Sequence, residues 1–236
     1  MKIAFTWDDG APEDLKLMEL HRKYEIPGMF FIPNRNSEGR KVLSPSQIQN
    51  NASELISFGG HTENHVYLTG VSLKCAEREA VNNKYYLEDL LGKKTDHFCL
   101  PGGAYTREIL QVIYKYYKTI RTADTMSFIC GERLCRPSFH VYPRGIKSLI
   151  GNAVRNGSAA EGMYVLRHMN ASYFQIIRSL ISECMDQDKT VVVWGHSWEI
   201  EEKNLWGWLE EVMKEMSEKY KKACVPYDEL FRGGGE

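Results

Sequence analysis

The sequence predicts a parallel α/β fold, and three observations carry that prediction. Short, almost continuous apolar runs alternate about seven times with stretches of helical period. The runs are apolar on both faces, as strands buried between two layers must be. The 236 residues, 43% of them hydrophobic, have the size of a (β/α) barrel closing on one core. A doubly wound open sheet is second, because no Gly-x-Gly-x-x-Gly follows the first strand.

The first strand is Ile3-Ala4-Phe5, leaving through Asp8-Asp9 to a turn at Gly10. Pro12, with Glu13 and Asp14, starts a helix whose apolar face is Leu17, Leu20 and Tyr24, and Pro27-Gly28 ends it. Met29-Phe30-Phe31-Ile32 is a buried strand. Ser44-Pro45-Ser46-Gln47 has capping-box spacing, and Ile48, Ala52, Leu55 and Ile56 prolong the helical period until Gly59-Gly60 breaks it. Ser72 opens a long helix to Leu90, closed by Gly92. A short strand at 97–100 stops at Pro101-Gly102-Gly103, and Thr106 caps a helix carrying Ile109, Leu110, Ile113 and Tyr117. Residues 118–122 read as a strand, 125–156 as irregular, 163–166 as a strand and 172–185 as an amphipathic helix. Thr190-Val191-Val192-Val193-Trp194 is the clearest strand and runs into Gly195-His196. Leu205, Trp208, Leu209, Val212, Met213 and Met216 share one face of a last helix, and Cys224-Val225-Pro226 suits a closing strand. With no repeat or linker, 1–232 reads as one domain and 233–236 as a loose tail.

Composition narrows the function. A formal net charge of −1 offers no electrostatic case for nucleic acid or an anionic membrane. No apolar run approaches the roughly 20 residues that span a bilayer. Met1-Lys2 leads straight into the first strand, so a cytoplasmic chain is expected. The six cysteines are scattered and read as reduced. Cys130 and Cys135 make at best half a zinc site, since no second pair answers them.

Asp8-Asp9, His61 with His65, Pro101-Gly102 and His196 each follow a predicted strand end or a glycine break. In a parallel barrel those ends open on one face, where the chemistry lies. Adjacent carboxylates repel unless a positive charge joins them, and a metal ion would serve. Equally, Asp-Asp-Gly is a common polar turn and Asp9 a helix cap. His61 and His65, four apart, would share a face of a helical turn and one ion, or else stand as two solvated histidines. Two histidines, one aspartate and an open position describe a catalytic divalent-metal site. His196 ends an apolar strand, as either a packed core histidine or a general acid.

These residues resemble the polysaccharide deacetylases of carbohydrate esterase family 4. Thr6-Trp7-Asp8-Asp9-Gly10 is similar to the family's Thr-Phe-Asp-Asp-Gly, and His61-Thr62-Glu63-Asn64-His65 to its His-Ser/Thr-x-x-His. Leu100-Pro101-Gly102-Gly103 resembles its proline-centred third motif, and Val191 to His196 its last. The resemblance implies a distorted (β/α) barrel of about seven parallel strands. It implies Asp9, His61 and His65 as ligands of one divalent ion, zinc ahead of cobalt, nickel, manganese or iron. Asp8 would be the general base and His196 the general acid. The backbone N–H of Gly102 would help hold the oxyanion, Pro101 would line the substrate site beside it, and Trp194 takes the place of the family's acetyl-pocket leucine. Trp198 is offered as a sugar-stacking platform. The implied substrate is an N-acetylated carbohydrate, with no nucleic acid or membrane partner.

The sequence also departs from the family. Cys99 stands where its bracing arginine is expected, with Arg121 or Arg136 as substitutes, and the family's Asp- and Trp-rich fourth motif has no clear counterpart. Hydrolysis of a ureide or small amide, or glycan binding without catalysis, therefore stay open as readings.

Overall fold

Among the described residues, eight strands, β1 (Lys2–Asp8), β2 (Gly28–Ile32), β3 (Ile56–Gly60), β4 (His97–Cys99), β5 (Thr119–Arg121), β6 (Leu134–Cys135), β7 (Phe139–His140) and β8 (Thr190–Gly195), form one sheet. Its order is β6-β5-β4-β3-β2-β1-β8-β7, and every neighbouring pair is parallel. This is a computed structural model that describes residues 1–185 and 189–231.

The connection between β6 and β7 shows why the sheet must curl. These are its two edges, which a flat sheet would hold about 34 Å apart at ~4.8 Å per strand. Only Arg136, Pro137 and Ser138 join them, a link that reaches at most about 15 Å. The strands therefore wrap into a distorted barrel left open at the β6–β7 seam. A doubly wound sheet is excluded by the same short link.

Helices α1 (Asp14–Tyr24), α2 (Pro45–Asn51), α3 (Leu73–Leu91), α4 (Arg107–Ile113), α5 (Ile146–Arg155), α6 (Ala159–Arg167), α7 (Tyr173–Met185), α8 (Ser197–Glu202) and α9 (Trp206–Tyr220) complete the fold. Their predicted caps form: Ser44 and Gln47 exchange a capping box, and the hydroxyls of Ser72 and Thr106 accept the N–H groups of Cys75 and Ile109. Strand alternation then sorts the core. Ile3, Phe5 and Trp7 of β1 pack outward with Phe30, Val191 and the helix residues Leu17 and Leu209. Ala4, Met29, Phe31, Cys99 and Val192 point inward, around Tyr227. Tyr227 meets His97 at the start of β4, so the N-terminal end of the barrel is plugged. The inward set on β1 ends with Asp8, in register with Phe31 of β2.

Several local expectations need correcting. Among the described residues the sheet has eight strands, not about seven; β6 and β7, two residues each, lie in the stretch read as irregular and are too short to leave a pattern. Helix α2 ends at Asn51, and residues 56–60 are strand β3, paired to both β2 and β4. Gly59 and Gly60 are there for close approach: an added Cβ would lie 2.6 Å from the Phe31 ring and 2.3 Å from the Tyr117 hydroxyl. The strand expected at 163–166 belongs to α6, where Met163 and Leu166 are half exposed and Val165 alone of that stretch is buried. The closing strand at 224–226 is a single parallel bridge from Cys224 to Ile3. The tail at 233–236 lies outside the described residues.

Candidate metal and catalytic site

Strand ends build the site, as the barrel order requires. Asp8 is the last residue of β1, and Asp9 follows with φ of 76°, a left-handed step that aspartate tolerates better than most residues. His61 follows β3 directly, and His196 follows β8. The histidine pair does not sit on a helical turn as the spacing suggested. Residues 61–65 form a loop in which Thr62 and His65 both have positive φ. The two imidazoles nevertheless converge, with ring centroids 5.1 Å apart.

Asp9, His61 and His65 are all buried. His65 Nε2 lies 3.0 Å and His61 Nε2 3.4 Å from the same oxygen, Asp9 Oδ1. That oxygen has no hydrogen-bond partner among the described residues. Two ligands of a tetrahedral ion at roughly 2.0–2.1 Å stand about 3.3 Å from each other, which matches these separations. His61 Nδ1 lies 2.9 Å from the Cys99 carbonyl. An N–H donated there leaves the Nε2 lone pair facing Asp9, the tautomer a metal ligand needs. His65 Nδ1 stands 3.6 Å from Glu38. An orphaned buried oxygen, two imidazoles and outer-sphere acceptors fit a divalent cation.

Asp8 has a different environment. Arg121, completely buried, donates to Asp8 Oδ1, and Cys99 Sγ lies 3.5 Å from Oδ2. Burial alone would raise this carboxyl, but Arg121, with His61 and His196, holds it below the usual carboxylate range.

His196 is the residue just before α8, and Glu199 sits in that helix's first turn. His196 Nδ1 is 2.6 Å from Glu199 Oε2, and Nε2 is 4.0 Å from Asp9. Burial would lower the imidazole, yet Glu199 and the two aspartates raise it above its ordinary value. Glu199 itself is held down to about 2, with burial outweighed by His140 and His196. Burial pushes His140 down to about 4, so it stays neutral while Glu199 serves His196.

A cavity of about 330 Å³ brings together Asp8, Asp9, His61, His65, Trp194 and His196, with Gly102 and Trp198 on its wall. Pro101 is buried, and Leu100 and Gly102 line the cavity at that loop. Gly102 has φ of 65°, and a Cβ there would meet the Tyr67 ring at 2.1 Å, so only glycine fits. Trp198 differs from the open platform expected of it. Its indole N–H donates to Asp9 Oδ2 at 2.9 Å, and Arg40 covers one ring face at 3.6 Å.

The sequence profile of the polysaccharide deacetylases matches residues 1–119, half of the chain. The chain belongs to the polysaccharide deacetylase family. The Bacillus subtilis protein YxkH, named for that family, is 23% identical over 114 residues, 48% of this chain and 41% of its own. The chain thus covers less than half the length of that relative. Among solved structures, a Mycobacterium smegmatis protein assigned by name to the polysaccharide deacetylases superposes with a TM-score of 0.67 at 12% identity, over 98% of this chain and 88% of that one. A family 4 carbohydrate esterase from Streptomyces lividans, solved in complex with acetate, gives 0.56 at 12% identity, over 94% and 88%. At such identities these likenesses speak for the fold.

As a polysaccharide deacetylase, the chain is unusual at Cys99, and the register explains how it manages. Cys99 of β4 pairs with Arg121 of β5, so a guanidinium from the next strand fills the position beside Asp8. Arg136 bonds the Tyr105 hydroxyl instead. Two partners carry little local signal: the sequence offers Arg136 as readily as Arg121, and Glu199 lies in the variant ending of the last motif. The i,i+3 spacing from His196 to Glu199 was the available signal.

Proposed function

We propose that this polysaccharide deacetylase is a metal-dependent hydrolase that removes the acetyl group from an N-acetylated carbohydrate. The observation that carries this reading is the orphaned Asp9 Oδ1 facing two imidazole nitrogens, with a braced carboxylate and a carboxylate-backed histidine in the same cavity. Asp9, His61 and His65 would hold the ion. When bound, a divalent cation, zinc by the donor set, supplies Lewis acidity toward the acetamide carbonyl and toward water.

The chain's own groups then divide the proton work. Asp8, kept ionised by Arg121, accepts the proton of the attacking water through its less occupied oxygen, Oδ2. Arg121 fixes the carboxylate's direction by taking Oδ1. His196, kept protonated by Glu199, gives its proton to the departing nitrogen, which leaves as the amine of the sugar. Trp194 and the Leu100–Gly102 wall enclose the acetyl end, and the turn at Gly102 lets backbone approach the developing oxyanion. The products are acetate and a free amino sugar.

Acetate release from N-acetylglucosamine oligomers, measured beside a panel of ureides and small amides, tests the assignment. Acetate from the sugars with the panel untouched is the expected result. Turnover confined to the ureides or amides would overturn it.

A further inference from the structure

Two cationic side chains on the cavity wall stand without an ion-pair partner, and they point to the substrate. The carboxylates on the same wall are turned to neighbours inside the site: Asp8 to Arg121, Asp9 and Glu38 to the imidazoles, and Glu199 to His196. Two guanidinium groups on the same wall, Arg40 and Arg144, have no carboxylate within ion-pair distance among the described residues.

Both are positioned by rings. Trp194, His196 and Trp198 form a row, with centroids 5.4 Å apart at the first step and 5.3 Å at the second. Arg40 lies on Trp198 at one end, 3.6 Å from the ring centre. Arg144 serves the other end: its Nε donates to His140 Nδ1 at 3.2 Å, and His140 stacks on Trp194 at 4.1 Å. Stacking on a ring leaves the edge N–H groups of Arg40 available, and Arg144 keeps both terminal nitrogens. Arg144 and Trp194 also line a second polar cavity of about 240 Å³ with Asn152 and Ser148. A sugar whose acetamide nitrogen reaches His196 therefore has a guanidinium on either side.

We propose that the substrate is an N-acetylated sugar bearing an anionic group, a carboxylate or a phosphate, close to its acetamide, and that Arg40 and Arg144 recognise it. Bidentate pairing suits both anions. The proposal rests on the deacetylase reading, and the test keeps the two apart.

Binding to the zinc-loaded protein is followed by tryptophan fluorescence with three probes. They are the N-acetylglucosamine dimer, the same dimer carrying a lactyl ether, and the same dimer carrying a 6-phosphate. At least tenfold tighter binding of one or both anionic probes is expected, and the tighter arm identifies the anion. Arg40→Gln and Arg144→Gln should each cut that preference at least threefold, and the double variant should abolish it. Equal affinity for neutral and anionic probes, or a preference that survives in the double variant, would overturn the proposal. Acetate release is scored separately: its absence with all three probes counts against the deacetylase reading, while the affinity ratio still decides the anion.

Discussion

Two buried histidine clusters lie on opposite faces of the barrel wall, and they use the same side chain in opposite ways. On the outer face His21 is completely buried among Phe5, Trp7 and Phe30. Trp7 Nε1 donates to its Nε2 at 2.7 Å, and its Nδ1 lies 2.8 Å from the Ile26 carbonyl. Both nitrogens are used, so the ring is a satisfied part of the core. At the barrel mouth, His61 and His65 are about as well buried, but their Nε2 atoms face an oxygen that no hydrogen bond from the described residues satisfies. Burial does not separate a structural histidine from a functional one. Completion of its hydrogen bonds does.

The largest effect belongs to the mouth. Asp8→Asn keeps the shape and the ion-binding set but cannot accept a proton. Acetate release should fall by about 10³-fold or more with bound metal unchanged, and near wild-type turnover would remove Asp8 from the role of base. Glu199→Gln is milder, at about 10- to 100-fold in kcat. It also has a signature that a merely structural partner would lack. Without the Glu199 charge the His196 pKa drops, so the alkaline limb of the kcat/KM profile moves to lower pH. A profile that only scales down would contradict the assignment.

The outer cluster should answer to acid and not to substrate. Burial, only partly opposed by the bond to Ile26, pushes His21 down to about 4, from about 6.5 in an unfolded chain. Between those values the unfolded chain binds the extra proton. The stability owed to neutral His21 is thus complete above pH 6.5 and is lost as pH falls toward 4, by about 2–3 kcal/mol at pH 4.5. His21→Gln should lose that much less stability between pH 7 and 4.5, by denaturant unfolding, with acetate release at pH 7 within about twofold of wild type. An unchanged acid dependence would show that His21 does not carry it.

The same contrast explains what the sequence could show. Asp8-Asp9 and His61 to His65 are legible because each motif is contiguous and sits at a strand end. Arg121 was only one option of two, because its meeting with Asp8 depends on the pairing of β4 with β5, which local pattern does not encode. Strand β3 was hidden because Leu55 and Ile56 happen to continue the period of α2, and its glycines answer to Phe31 and Tyr117 rather than to a helix end. His61 and His65 were brought together for the wrong reason: the spacing suggested a helical turn, whereas two left-handed residues make the loop.

Metal content tests the central claim most directly. After dialysis against zinc and removal of the excess, elemental analysis should find one ion per chain in the wild type and in His21→Gln. It should find less than about a tenth of an ion in His61→Ala and in His65→Ala. A full ion retained in either of those two variants, or none in the wild type, would contradict a cation shared by Asp9, His61 and His65.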